Sequence, residues 1–420
     1  MKNDVEGGLA LNRCVLSRHS GTYRKTAKSK SSQINFPPYS SSIPIPTSFP
    51  PSLFPSLAPP LHHHDQRSPG ASQYLDSECE AAQPAASPLR RPPLFTPLPP
   101  SPSPTVPVSC VPTLFQEPYI LSGYRPVGQD WRCYVLSLFQ RHNESLNVWT
   151  HLLAGPLVLL RVWAYGLSLD SVSLPLCLYI LSALTYLCCS VAAHLLQSHS
   201  ELAHYTLFFL DYVGVSVYQY GCSLAHYFYC SEPAWRESPV GFWFLPGAAL
   251  LGWLSCASCC FAKSRYRRPY PLRRKICQLI PTSMAYFLDI SPVAHRLATV
   301  PWGQDPALPL HALQMAAFLL AAFFFSCPVP ERFFPGHCDI MGQGHQIFHL
   351  FLSLCTLCQL EALFLDYGSR RDTVLQLYGE RQLWFAGVSF LALALCSTLT
   401  AVVMRRHVQR RLEKSETVKQ

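Results

Sequence analysis

From residue 148 onward the chain is a succession of eight apolar runs, at 148–167, 175–196, 204–229, 239–262, 276–299, 308–327, 342–366 and 383–404. Each holds roughly the 20 residues that a helix needs to cross the hydrocarbon of a bilayer. Inside lipid a segment must satisfy its own backbone N–H and C=O groups, so runs of this length fold as helices. The expected fold class is an all-α polytopic membrane protein. Composition agrees: 49% of residues are hydrophobic and only 14% are charged, against about 25% charged in a soluble domain. The fifth run is the weakest, because ICQLIPTSMAYFLDISPVAHRL contains Pro281, Asp289, Pro292 and His295. A broken, polar helix is tolerated where it is buried in a bundle or lines a cavity.

The net charge of +9 does not point to nucleic acid, because the basic residues gather in tails and one loop and no nucleic-acid motif is present. Lys263, Arg265, Arg267, Arg268, Arg273, Arg274 and Lys275 lie between runs four and five. Arg405, Arg406, Arg410, Arg411 and Lys414 follow run eight, as a basic cytoplasmic tail over 405–420. The opposite loops carry only Arg236, Arg370, Arg371 and Arg381. Basic residues favour the cytoplasmic side, so both termini are expected in the cytoplasm. Asn143 heads an N-x-S sequon that this topology keeps on the unglycosylated side. The first thirty residues are basic and polar, so no cleavable signal peptide is expected.

Residues 1–112 are rich in Pro and Ser, lack a periodic apolar face and read as a disordered cytoplasmic tail with polyproline character. His62, His63 and His64 within it read as incidental. Residues 113–147, with Arg125, Arg132 and Arg141 among aromatics, read as an interfacial amphipathic helix leading into the bundle at 148–404.

The polar residues inside the runs carry the functional signal. His345 and His349 lie one helical turn apart, so both imidazoles share a face. Such groups in a membrane helix are costly unless paired, wet or ligating. The topology puts His194 at the inner end of run two, Asp211 about two turns into run three, and His345 and His349 at the start of run seven. Three His and one Asp thus converge on one level. Neutral imidazoles are good zinc ligands, and three protein ligands plus water is the pattern of a reactive zinc site. Asp211 could bind the metal or hold its water, with Ser190 one turn before His194 as an outer partner. The alternative is that these groups only hydrogen-bond between helices. Glu144, Asn147 and His151 share a stripe at the same end and either support the site or mark an ordinary helix start. Gln219 and Asp289 either meet a ligand deeper in the bundle or pack between helices. Cys256, Cys259 and Cys260 beside the basic loop suit palmitoylation or simple packing.

In order along the chain, HNESLNVWTHLL, SVAAHLL, FFLDYVG and GHQIFH resemble the progestin and adipoQ receptor family, over about residues 114–415. GYRPVGQDWR, RYRRPYPLRRKICQ and LDISPVAHR are similar to its progestin-receptor branch. The resemblance implies a seven-helix bundle of inverted topology, N-terminus inside, plus an eighth C-terminal span. It implies zinc held by His194, His345 and His349, with Asp211 reaching it through water. The Pro/Ser tail departs from the family's shorter N-terminus.

Two functions follow. The first, implied by the resemblance, is a plasma-membrane receptor for progesterone and related steroids. It would signal through a heterotrimeric inhibitory G protein, lower cyclic AMP and act in oocyte maturation, with zinc as a brace. The second is a zinc-dependent lipid amide hydrolase, as the family's metal constellation is similar to that of alkaline ceramidases. There Asp211 would be the catalytic group and a membrane lipid the substrate.

Overall fold

A computed structural model describes residues 101–268 and 270–418. Among these residues the chain is helical, apart from one isolated bridge between Val106 and Tyr124. The expectations for residues 1–100, including the His62–64 triplet, lie outside the described residues. Residues 101–112, expected to be disordered, are ordered: Val106 and Val111 are buried against Ile120 and Tyr124. The stretch expected as one interfacial helix folds differently. It is an irregular segment with a short α-helix, α1 (Trp131–Leu136), capped by Asp130 accepting from the Arg132 N–H and followed by a 3-10 turn at Ser137–Phe139. Phe115, Tyr124 and Tyr134 are buried in it, whereas Tyr119, Trp131 and Phe139 stay exposed.

The long helices follow the apolar runs. They are α2 (Ser145–Tyr165), α3 (Leu174–Leu196), α4 (Glu201–Ala225), α6 (Pro239–Arg265), α7 (Leu272–Asp289), α9 (Leu308–Ser326) and α10 (Gly344–Thr417). A short α5 (Pro233–Arg236) precedes α6, and α8 (Ser291–Thr299) continues α7 beyond its break at Ile290. α10 holds both of the last two runs as two helical segments meeting at Gly379, where φ is 63° and ψ 167°. Sequence chemistry sets the ends. Ser200 and Ser238 accept from the N–H groups of Ala203 and Gly241 to cap α4 and α6, and left-handed Gly166 closes α2.

Among the described residues, α2, α3, α6, α9 and α10 are long and apolar enough to cross a membrane. α4 and the α7–α8 pair fall short because they carry the polar groups of the interior. α4 packs on α3, α6 and α10 at the centre of the bundle. Its glycines allow this: a Cβ on Gly221 would stand 2.1 Å from Ser182 Oγ, and one on Gly214 would stand 2.9 Å from Tyr186 Cα. The exterior is the reverse of a soluble protein's. Trp163 is 80% exposed and Phe242 74%, whereas Asp366 and His311 are fully buried. Apolar side chains face out and ionisable ones face in, as lipid requires. The chain is a polytopic all-α membrane protein.

Candidate metal centre

The last turn of α3 and the first two turns of α10 are brought together by what precedes each. Arg125 is buried and donates to the backbone oxygens of His194 and Leu195 and to Ser137 Oγ. Burial lowers its pKa to about 10, so it stays a cation at neutral pH. On the other side Gly344 donates its N–H to Glu331 Oε2 at 2.8 Å. A Cβ at Gly344 would fall 2.8 Å from the oxygen of Val329. Only glycine lets α10 begin that close to its neighbour, and His345 is the next residue.

The structure brings His194, His345 and His349 together, with one ring nitrogen from each within 4.8 Å of the others. Their orientation is fixed from outside. His194 Nδ1 donates to Glu144 Oε2 at 2.8 Å, which leaves Nε2 as a lone pair. That Nε2 faces His345 Nε2 at 3.4 Å. His349 Nδ1 donates to the Asn147 carbonyl at 3.0 Å, which again leaves Nε2 free. Zinc–nitrogen bonds of about 2.1 Å give a tetrahedral edge of about 3.4 Å, so the His194–His345 spacing fits a shared ion. Three imidazoles leave the fourth vertex open.

Glu144 orders the surroundings. It also accepts from Asn147 Nδ2 at 2.6 Å and from Gln197 Nε2 at 2.7 Å. A carboxylate behind a ligand histidine holds its tautomer and raises its basicity. His151 takes part by stacking: its ring lies 3.8 Å from that of His349 at 2°, and neither of its nitrogens finds a partner among the described residues. Ser190 is buried one turn before His194.

Asp211 stands apart. It lies close enough to His194 and Lys263 for their charges to act on it, but it is not one of the three clustered ligands. No hydrogen bond to its carboxylate is present among the described residues. Gln219 turns to α7, with Nε2 3.5 Å from the Thr282 carbonyl and Oε1 buried without a partner. Asp289 accepts from Ser223 Oγ and from His226 Nδ1. His226 Nε2 then accepts from Gln359, so Asp289 belongs to a chain of interhelical hydrogen bonds. Cys256 and Cys260 are fully buried in the bundle and packed there, while Cys259 is only partly buried.

Sequence reasoning missed Arg125, Gln197 and Lys263. Arg125 reads as one more basic residue of an interfacial stretch, and nothing in its sequence context says that it is buried. Lys263 reads as topogenic, yet it is 7% exposed and its Nζ lies 3.8 Å from the Phe208 ring, which itself meets His194 edge-on.

The family described as haemolysin-III related matches residues 139–360, a stretch that contains all three imidazoles and Asp211. The chain is 58% identical to the human protein named membrane progestin receptor beta, covering 74% of this chain and 90% of that one. It is 50% identical to human membrane progestin receptor alpha, over 75% and 92%. It is 48% identical to the zebrafish (Danio rerio) membrane progestin receptor alpha-B, over 74% and 90%.

Proposed function

This chain belongs to the haemolysin-III-related family, and we propose that it is a progestin receptor of the plasma membrane braced by zinc at the three imidazoles. The observation that carries this is 58% identity across nine-tenths of a relative named for that ligand. The steroid enters the apolar bundle from lipid and shifts a two-state equilibrium, which requires different affinity for the two states. The basic loop after α6 and the basic end of α10 face the cytoplasm. There they meet an inhibitory G protein, whose activation lowers cyclic AMP, with oocyte maturation as one setting. His194, His345 and His349 hold the zinc and Asp211 orders water beside it. The test is saturable progestin binding by the purified chain in lipid nanodiscs, with metal content measured on the same sample. Binding that falls together with thermal stability after chelation is expected. A folded, zinc-replete chain that binds no progestin would overturn the receptor reading.

A second reading is favoured by one observation, the carboxylate of Asp211, left without a hydrogen-bond partner among the described residues and within electrostatic reach of His194. Zinc acts as a Lewis acid that makes water nucleophilic near neutral pH. With zinc bound at the three imidazoles, the Asp211 carboxylate would take the proton as water adds to a lipid amide and return it to the departing amine. Ceramide turnover that Asp211→Asn removes, with metal content and melting temperature kept, would establish a hydrolase; no turnover in the zinc-replete wild type would exclude it.

A further inference from the structure

A second cluster of ligand atoms lies at the opposite end of the bundle. Along α10, residues 345 and 366 are separated by about 30 Å at 1.5 Å per residue. There Cys230 from the π-helical turn that ends α4, His311 from α9 and Asp366 from α10 converge, all three fully buried. Cys230 Sγ is 3.2 Å from Asp366 Oδ2 and 3.7 Å from His311 Nε2, and His311 Nε2 is 2.7 Å from Asp366 Oδ2.

The charges around this cluster do not balance. Arg296 bonds Asp366 Oδ1 at 2.7 Å and also pairs with Asp305. Arg370 pairs with Glu232 at 2.7 Å and approaches Asp305 at 3.9 Å. Two guanidinium cations, Arg296 also reaching Glu232 at 3.8 Å, therefore serve three carboxylates, and the surplus negative charge falls on a set whose innermost member, Asp366, is fully buried. Such a charge is expensive without a counter-ion. A thiol losing its proton beside a divalent cation brings the cluster to neutrality.

We propose that Cys230, His311 and Asp366 form a second zinc site, independent of the three imidazoles. Thiolate, imidazole and carboxylate together suit zinc. On binding, the thiol proton leaves to solvent. The His311 proton moves from Nε2 to Nδ1, where Gln314, now donating Nε2 to that nitrogen at 2.8 Å, turns its amide oxygen to accept it. The two short contacts to Asp366 Oδ2 open toward the 3.4–3.6 Å or so of a tetrahedral edge. Arg296 keeps Nη1 buried without a partner, a donor available to a water completing the coordination. The ion would tie α4, α9 and α10 together at this end.

The test is metal analysis of the full chain in detergent, together with the absorption spectrum of the cobalt-substituted protein. Two zinc ions per chain are expected, falling to one in Cys230→Ser and to one in His349→Ala. Cobalt should give a thiolate-to-metal charge-transfer band, which three imidazoles alone cannot give. That band should survive His349→Ala and vanish in Cys230→Ser. No thiolate band in the wild type would overturn the proposal without recourse to any variant. So would a band that persists in Cys230→Ser, or one zinc per chain that only His349→Ala removes.

Discussion

Glu144 serves three side chains with one carboxylate, holding His194, Asn147 and Gln197 at once. Glu144→Gln keeps the shape but weakens the acceptor that fixes the His194 tautomer. Metal affinity is expected to fall about 10- to 100-fold, read by competition with a calibrated chelator. His142 lies two residues earlier. Burial holds its pKa down at about 3, and its neutral Nδ1 accepts from the Glu144 N–H. The unfolded chain binds a proton there below about pH 6.5 and the folded chain does not. Stability contributed by this residue is therefore intact above that pH and erodes as pH falls toward 3, by at most about 1.4 kcal/mol per pH unit. Melting temperatures between pH 7.5 and 5.5 should fall less steeply in His142→Asn than in the wild type. At this scale the candidate ligands were legible, because two imidazoles one turn apart in an apolar run are costly unless they are paired or hold an ion. Their supports were not. Arg125 and Gln197 act through contacts 50 or more residues away in sequence, which no local pattern records.

Helices were legible wherever lipid alone dictates them. The runs at 148–167, 175–196 and 239–262 correspond to α2, α3 and α6. Run five is broken, as its prolines and polar residues suggested, into α7 and α8 at Ile290, while Pro281 stays inside α7. The start of α10 was less legible, since nothing in GQGH says how near its neighbour will be. Gly344→Val would drive a side chain into the Val329 carbonyl and push the start of α10 away from the 327–329 segment. Overpacking of this kind costs about 1–3 kcal/mol. The variant should melt lower and also lose metal, because His345 moves with the backbone. Gly221→Leu, deep in the α3–α4 contact, should lower the melting temperature comparably while leaving metal stoichiometry unchanged in the folded fraction. The two variants separate a helix contact that stabilises from one that positions a ligand.

Across the whole molecule, a ligand that binds only the folded state stabilises it in proportion to the logarithm of its saturation. Stripping metal should therefore lower the melting temperature measurably, by an amount that grows with the free zinc concentration of the reference sample. Asp211→Asn should leave that difference unchanged, since Asp211 is outside the three-imidazole cluster. The sequence by itself determined the solvent and that the fold is a bundle of helices, because the length and apolarity of a run are compared with the bilayer residue by residue. It also determined which imidazoles are candidates, through the helical period. Only the tertiary structure decided that residues 101–144 pack as an irregular segment, that Arg125 is buried, and that Asp289 is engaged by His226. The same holds for the meeting of Cys230, His311 and Asp366. Those outcomes depend on which faces of distant helices meet, and that is set by packing and burial summed over the bundle, quantities that no single segment contains.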